Sequence, residues 1–254
     1  MSVPNLEYAS QLRHIVQALA IGKNDLVSGD IAKRDSVEQV KMFTSGNLEK
    51  RFDKLKDQLE LLEEEIDDLD TLVEDYVMSE PLQAYDTGSS DTSNFMKWLG
   101  QQIDLTTEQR DLTVVIRSRN ATEEVGRRNR MAHIRFQELR SLVDELAAEL
   151  GTNANLTIRL NPVRLWAVFE SSMFLEEDED ASGEVEVLFY AYENEVRTAM
   201  LEPDARSVLR TLGECPPCSL EELHERVDLA TGLQLDEVQE ILLDSAETGI
   251  VAFS

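Results

Sequence analysis

Along residues 48–76, apolar side chains recur at alternating intervals of four and three: Leu48, Phe52, Leu55, Leu59, Leu62, Ile66, Leu69, Val73 and Tyr76. A straight α-helix drifts off that period, whereas two helices wound about each other hold it on one seam. The pattern predicts a helix over 47–79 carrying a coiled-coil seam of about four heptads. Ser79 and Pro81 end it, and 81–92 reads as a loop. A short helix, capped by Ser93, would carry Phe95, Trp98, Leu99 and Ile103. Thr106 with Gln109 has the form of a capping box opening a helix that runs to Leu150, with Gly126 expected to kink it or divide it in two. The second half of that helix repeats the seam through Ala132, Phe136, Leu139, Val143, Leu146 and Leu150. Upstream, 4–22 reads as a short amphipathic helix and 36–44 as a second short helix.

After Gly151 the period shortens. Residues 155–170 and 184–192 are rich in β-branched and aromatic side chains and predict strands, and Glu193-Asn194 suggests a hairpin into a strand ending near Met200. The stretch 172–184, which contains Glu176-Glu177-Asp178-Glu179-Asp180, reads as an acidic loop. Three helices follow, at 203–212, from Ser219 through Val227, and at 235–247. Ser219 with Glu222 forms a second capping box, and Gly249 stops the last helix before a closing strand, Ile250–Phe253.

Charge changes the picture most. The chain has 254 residues, 51 Asp and Glu against 24 Lys and Arg, and a formal net charge of −27. Such a surface repels phosphate, which disfavours general nucleic-acid or anionic-lipid binding and favours a basic protein surface as partner. Only seven lysines occur, so the same composition also fits a salt-adapted surface. The charges are ordered as well. Lys50, Arg51, Lys54 and Lys56 precede eleven acids and no base in 57–80; Arg127, Arg128, Arg130, Arg135 and Arg140 precede Asp144, Glu145 and Glu149. Antiparallel pairing of the two seam helices sets opposite signs beside each other, so an intramolecular hairpin is expected and an antiparallel homodimer is the second arrangement. The arginines are thus either charge-pairing groups or a phosphate-binding cluster.

No 18-residue apolar run and no basic-then-apolar leader pattern is present, so a cytoplasmic protein without a membrane partner is expected. Cys215 and Cys218, in Cys-Pro-Pro-Cys, fall two ligands short of a zinc site and read as a turn stiffened by Pro216 and Pro217, with redox chemistry of the pair as the alternative. Nucleotide-binding, zinc-protease and serine-hydrolase motifs are absent, and no catalytic, cofactor or metal site is expected.

Three helices closed by a strand resemble a winged helix. That resemblance implies DNA binding through the third helix, yet this helix carries Asp236, Glu237, Glu240 and Asp244 and no base, while groove recognition needs Arg or Lys on phosphates. Winged helices also serve as protein-docking modules, which makes the acidic third helix a docking helix. Within Arg127–His133, Arg128, Asn129 and His133 resemble the R-N-x3-H spacing of helical HEPN ribonucleases, which implies RNA cleavage by Arg128 and His133 at a dimer interface. This resemblance covers six residues.

The fold class expected is mainly α with a smaller α+β part: a helical, antiparallel coiled-coil domain over 1–150, then an acidic winged-helix-like module over 151–254. The expected function is a non-enzymatic adaptor or regulatory subunit of a larger assembly, docking through coiled coil and acidic module. Its architecture resembles that of accessory subunits of SMC-type chromosome complexes, whose winged helices bind ATPase heads, and of winged-helix modules that capture leader peptides at a strand edge. A winged-helix transcriptional regulator and a HEPN-like ribonuclease are the alternatives.

Overall fold

A computed structural model describes residues 48–80, 90–170 and 185–254. The expected helices at 4–22 and 36–44, most of the loop 81–92, and the acidic loop 172–184 lie outside them. The described chain is mostly helical with small antiparallel sheets. It divides into two compact units, one ending at Arg117 and the other spanning Ser118–Ser254.

In the first unit the seam is continuous in sequence but the helix is not. Residues 48–59 form α1. A 3₁₀ turn, Glu60–Leu62, follows, and Asp68 adopts a left-handed conformation (φ 57°) before α2, Leu69–Ser79. The break falls where acids crowd the chain, at Glu63, Glu64, Glu65, Asp67 and Asp68. In an unbroken helix these would repel at three- and four-residue spacings, and Asp is among the non-glycine residues that visit the left-handed region. The chain instead folds back. Lys56 Nζ on α1 lies 2.7 Å from Asp70 Oδ2 on α2, while Arg51 reaches the far end of α2. Two further helices close the bundle: α3, Asp91–Gln102, and the start of α4, Thr107–Arg128. The observed cap of α3 is Ser90, whose Oγ accepts from Ser93 N, in place of the expected Ser93. Leu55, Leu59, Leu62, Ile66, Leu69, Val73 and Tyr76 are all buried with Phe95, Met96, Leu99 and Ile116, and Leu48 and Phe52 pack at the margin. The stripe expected as a rod's seam is therefore the core of a small helical bundle.

Arg51 organises that bundle. It is buried, with 8% exposure. Its Nε and Nη2 donate to Asp91 Oδ2 and Oδ1 at 2.6 and 2.8 Å, and Nη1 donates to Glu80 O at 2.6 Å and Val77 O at 3.3 Å. One guanidinium thus ties α1 to the C-terminal carbonyls of α2 and the first residue of α3. Tyr76 Oη donates to the same carboxylate at 3.0 Å.

In the second unit the expected long helix is segmented. α4 ends at Arg128, and Asn129 (φ −101°, ψ 23°) separates it from α5, Arg130–Arg140; a short α6, Val143–Leu146, follows. α4 continues through Gly126, and the division falls three residues later, at Asn129. A Cβ there would lie 3.3 Å from Val163 Cγ1, so the glycine permits close packing on the strand region. The expected strand 155–170 is two strands, β1 (Ile158–Leu160) and β2 (Arg164–Phe169), divided at Asn161-Pro162. β2, β3 (Val185–Tyr192) and β4 (Glu195–Met200) form an antiparallel meander in which Leu165 faces Phe189 and Phe189 faces Thr198. Helices α7 (Pro203–Glu214), α8 (Leu220–Thr231) and α9 (Leu235–Glu247) lead to β5 (Val251–Phe253), which pairs antiparallel with β1. Both expected capping boxes are present, at Thr106/Gln109 and Ser219/Glu222.

Phe136, Val143 and Leu150 of the second stripe are buried with Leu209, Leu223, Val238, Leu242 and Phe253, and Leu139 and Leu146 pack against that cluster, while Ala132 is exposed. Residues 118–150 thereby belong with the C-terminal module, and the division falls at 117/118 where the sequence placed it at 150. Each stripe is buried within its own unit. The expected pairing of the two rested on ion pairs worth a few tenths of a kcal/mol each, whereas burying one leucine is worth about 2 kcal/mol, so local apolar surface decides.

Asn161 holds the module's strands together. It is fully buried. Its Nδ2 donates to Ala191 O at 2.8 Å and Gly249 O at 3.2 Å, and its Oδ1 accepts from Val163 N at 2.9 Å. Gly249, at φ +84°, is required twice over: a Cβ would also sit 2.7 Å from the Tyr192 ring. That ring is stacked between the guanidinia of Arg140 (4.2 Å) and Arg197 (3.7 Å), joining α5 to the β3–β4 hairpin.

Candidate functional site

The third helix of the module, α9, is amphipathic in a simple way. Val238, Leu242 and Ala246 face the core, while Asp236, Glu237, Glu240 and Asp244 are exposed. Glu237 is partly committed, because its carboxylate accepts from Gln234 N at 2.7 Å in a capping box. Asp236, Glu240 and Asp244 recur every four residues, so they share a face, and none is in an ion pair among the described residues. On α8, Glu221, Glu225 and Asp228 are exposed as well. Leu229, before the left-handed Gly232 turn that joins the two helices, is 89% exposed.

The arginine cluster is not arranged as the charge pattern suggested. Arg127 and Arg128 both pair with Glu124 one turn back on α4, at 2.9 Å each, and Arg130 and Arg135 are exposed. The acidic half of the first stripe is served from its own unit, where Lys56 meets Asp70 and Glu63. Arg128 and His133 stand on either side of the break at Asn129. The His133 ring is half-buried, and its Nδ1 is buried with no hydrogen-bond partner among the described residues. Burial lowers its pKa, partly offset by the backbone of Glu193.

Cys218 is buried, and its carbonyl accepts from Ile158 N at 2.8 Å. Burial, aided by Cys215, pushes the Cys218 thiol up to about 11, which leaves it protonated at neutral pH and a poor nucleophile. Among the described residues no group of three His, Cys, Asp or Glu side chains is placed to hold a metal ion. No described helix is long and apolar enough to cross a membrane.

One feature escaped the sequence reading. A cavity of about 350 Å³ opens between α5, the β1–β2 corner and the end of α7. Arg135, Arg159 and Arg164 line it together with Phe136, Leu139, Ile158, Leu160 and Leu212, and no acidic side chain does among the described residues. Arg164 is half-buried; its Nη1 donates to Asn161 O at 2.7 Å, and burial lowers its pKa with no carboxylate to offset it. Gly213 on α7 leaves room for this guanidinium, since a Cβ there would lie 3.2 Å from Arg164 Nη2. Cys215 also lines it. The available signal was local charge: residues 155–169 contain Arg159 and Arg164 and no acid, in a chain of net −27.

Comparison of the chain with protein-family models, with curated proteins and with solved structures finds no match.

Proposed function

We propose that this chain is a non-enzymatic adaptor or regulatory subunit that docks, through the acidic face of its winged-helix-like module, on a basic surface of another protein. The observation that carries the reading is the α9 face: three exposed carboxylates in one row, unpaired among the described residues, on a helix with no base. A rim of like charge steers a basic partner and rejects nucleic acid. Exposed Leu229 supplies an apolar contact that such a row lacks by itself. The helical unit adds a second body through which a larger assembly can be reached, an architecture similar to that of SMC-complex accessory subunits.

The experiment reverses the row. The triple variant Asp236→Lys, Glu240→Lys, Asp244→Lys leaves every buried residue of α9 in place, so its circular dichroism should match the wild type, and its melting should fall only by the small cost of a base in the first turn of α9. Native purification of tagged wild type should carry along a protein with a basic face, and the variant should lose it. Retention of the same partner by the variant overturns the reading. So does duplex binding by the wild type that falls steeply with salt, which returns the regulator, or RNA cleavage abolished by His133→Ala, which returns the ribonuclease.

A further inference from the structure

The arginine-lined cavity carries an inference of its own, independent of the docking reading, because it uses none of the α9 carboxylates. We propose that it is a binding site for a small amphiphilic anion: a carboxylate or phosphate head on an apolar body.

Three observations converge. The first is charge. In a chain with 51 acids, the described residues line this cavity with three arginines and no carboxylate. They come from separate segments, Arg135 from α5, Arg159 from β1 and Arg164 from β2, so no single helix face accounts for their meeting. The second is the state of Arg164. It is half-buried, and its one hydrogen-bond acceptor among the described residues is neutral, the carbonyl of Asn161. A guanidinium presents five donors in a planar fork that matches carboxylate or phosphate oxygens. Desolvating one without a counter-charge is unfavourable, and an anionic ligand supplies that charge. The third is the wall. Phe136, Ile158 and Leu212 are buried core residues whose surfaces form the apolar side of the cavity, and Leu139 and Leu160 extend it.

Size narrows the occupant. A volume of about 350 Å³ is at the small end of ligand cavities and equals the space of roughly a dozen waters. That suits a body of about a dozen non-hydrogen atoms better than a folded segment of protein. The net charge of −27 disfavours long polyanions, while a single anionic head on a short apolar body meets the local arginines at close range.

The test uses the full chain and three probes of ten carbons each: decanoate, decyl phosphate and decanol, titrated by calorimetry at physiological ionic strength. Decanoate or decyl phosphate should bind at one site per chain, with decanol roughly tenfold weaker or more; whichever anion binds tighter identifies the head group. Arg164→Gln and Arg135→Gln should each weaken the anion by about tenfold and leave decanol unchanged. Arg135 and Arg159 are exposed, so Arg135→Gln and Arg159→Gln carry the test if Arg164→Gln misfolds. Equal affinity for decanol and the anions, affinity unmoved by all three variants, or no binding of any probe overturns the proposal. Binding of a peptide with a free C-terminus in place of decanoate also overturns it, by moving the site from small ligands to peptides.

Discussion

Replacement of Asn161 by alanine should destabilise the C-terminal module far more than its single-atom contacts suggest. The side chain makes three hydrogen bonds in a fully buried setting: two donated to Ala191 O and Gly249 O, and one accepted from Val163 N. A typical hydrogen bond contributes about 1 kcal/mol net, but leaving a buried donor or acceptor without a partner costs about 1–3 kcal/mol. The Val163 N–H loses its one acceptor among the described residues and bears that cost in full, while each carbonyl retains a second lone pair and bears less. Adding the small void left by the carboxamide gives about 3–4 kcal/mol for Asn161→Ala. For a unit the size of Ser118–Ser254, each kcal/mol moves the melting temperature by about 3 °C, so the variant should melt roughly 10 °C below the wild type. Asn161→Asp should be worse, because it places a buried carboxylate against two carbonyl oxygens. Differential scanning calorimetry resolves the transition of this unit. An Asn161→Ala transition within about 2 °C of the wild type would mean that the strand corner does not depend on this side chain and that the accounting is wrong.

Arg51→Met should cost the helical unit about 3–5 kcal/mol, because Asp91 is left without its counter-charge and the end of α2 without its donor; Arg51→Lys should recover less than half, since an ammonium cannot span both, and urea unfolding followed by helical circular dichroism checks it. His133 is held below its ordinary pKa by burial. The unfolded chain therefore binds a proton that the folded module resists, so the module should lose stability as pH falls below about 6.5. His133→Gln should flatten that slope between pH 7 and pH 5.5, and an unchanged slope would assign the pH dependence to the carboxylates.

Elements whose ends are set by local chemistry were legible in the sequence. The capping boxes at Thr106/Gln109 and Ser219/Glu222 stand as read, as does the stop at Gly249, and the three module helices and the β3–β4 hairpin fall within a few residues of expectation. A cap satisfies orphan N–H groups with a side chain three residues away, so the interaction that decides it is visible in a short window. The division of labour between the two stripes was not legible. A heptad period records which residues are buried together, not against what. Leu55 to Tyr76 keep their common burial even though the chain reverses at Asp68, because a fold-back and a long rod place the same side chains on an apolar face. The crowded acids at 63–68 were read as one half of a long-range charge match; their nearer effect is to make a continuous helix unfavourable at that point.

The candidate sites divide along the same line. The acidic row on α9 is a property of one helix, so four-residue spacing suffices to see Asp236, Glu240 and Asp244 on one face. The arginine cavity is a property of topology. Arg135 was read as one of a basic cluster with Arg127, Arg128 and Arg130, yet Arg127 and Arg128 turn back to Glu124, while Arg135 joins Arg159 and Arg164 across a corner made by Asn161, Pro162 and Gly213. That corner exists because β1 pairs with β5, a partner more than ninety residues away, and because a buried asparagine turns the chain from one sheet into the other. Net charge describes what approaches from a distance, where salt screens beyond about 8 Å. Occupancy is decided inside that distance, by the few groups the fold brings together. A strongly acidic protein can therefore carry both a row of exposed carboxylates and a guanidinium-lined cavity, and only the fold shows that both lie on the same module.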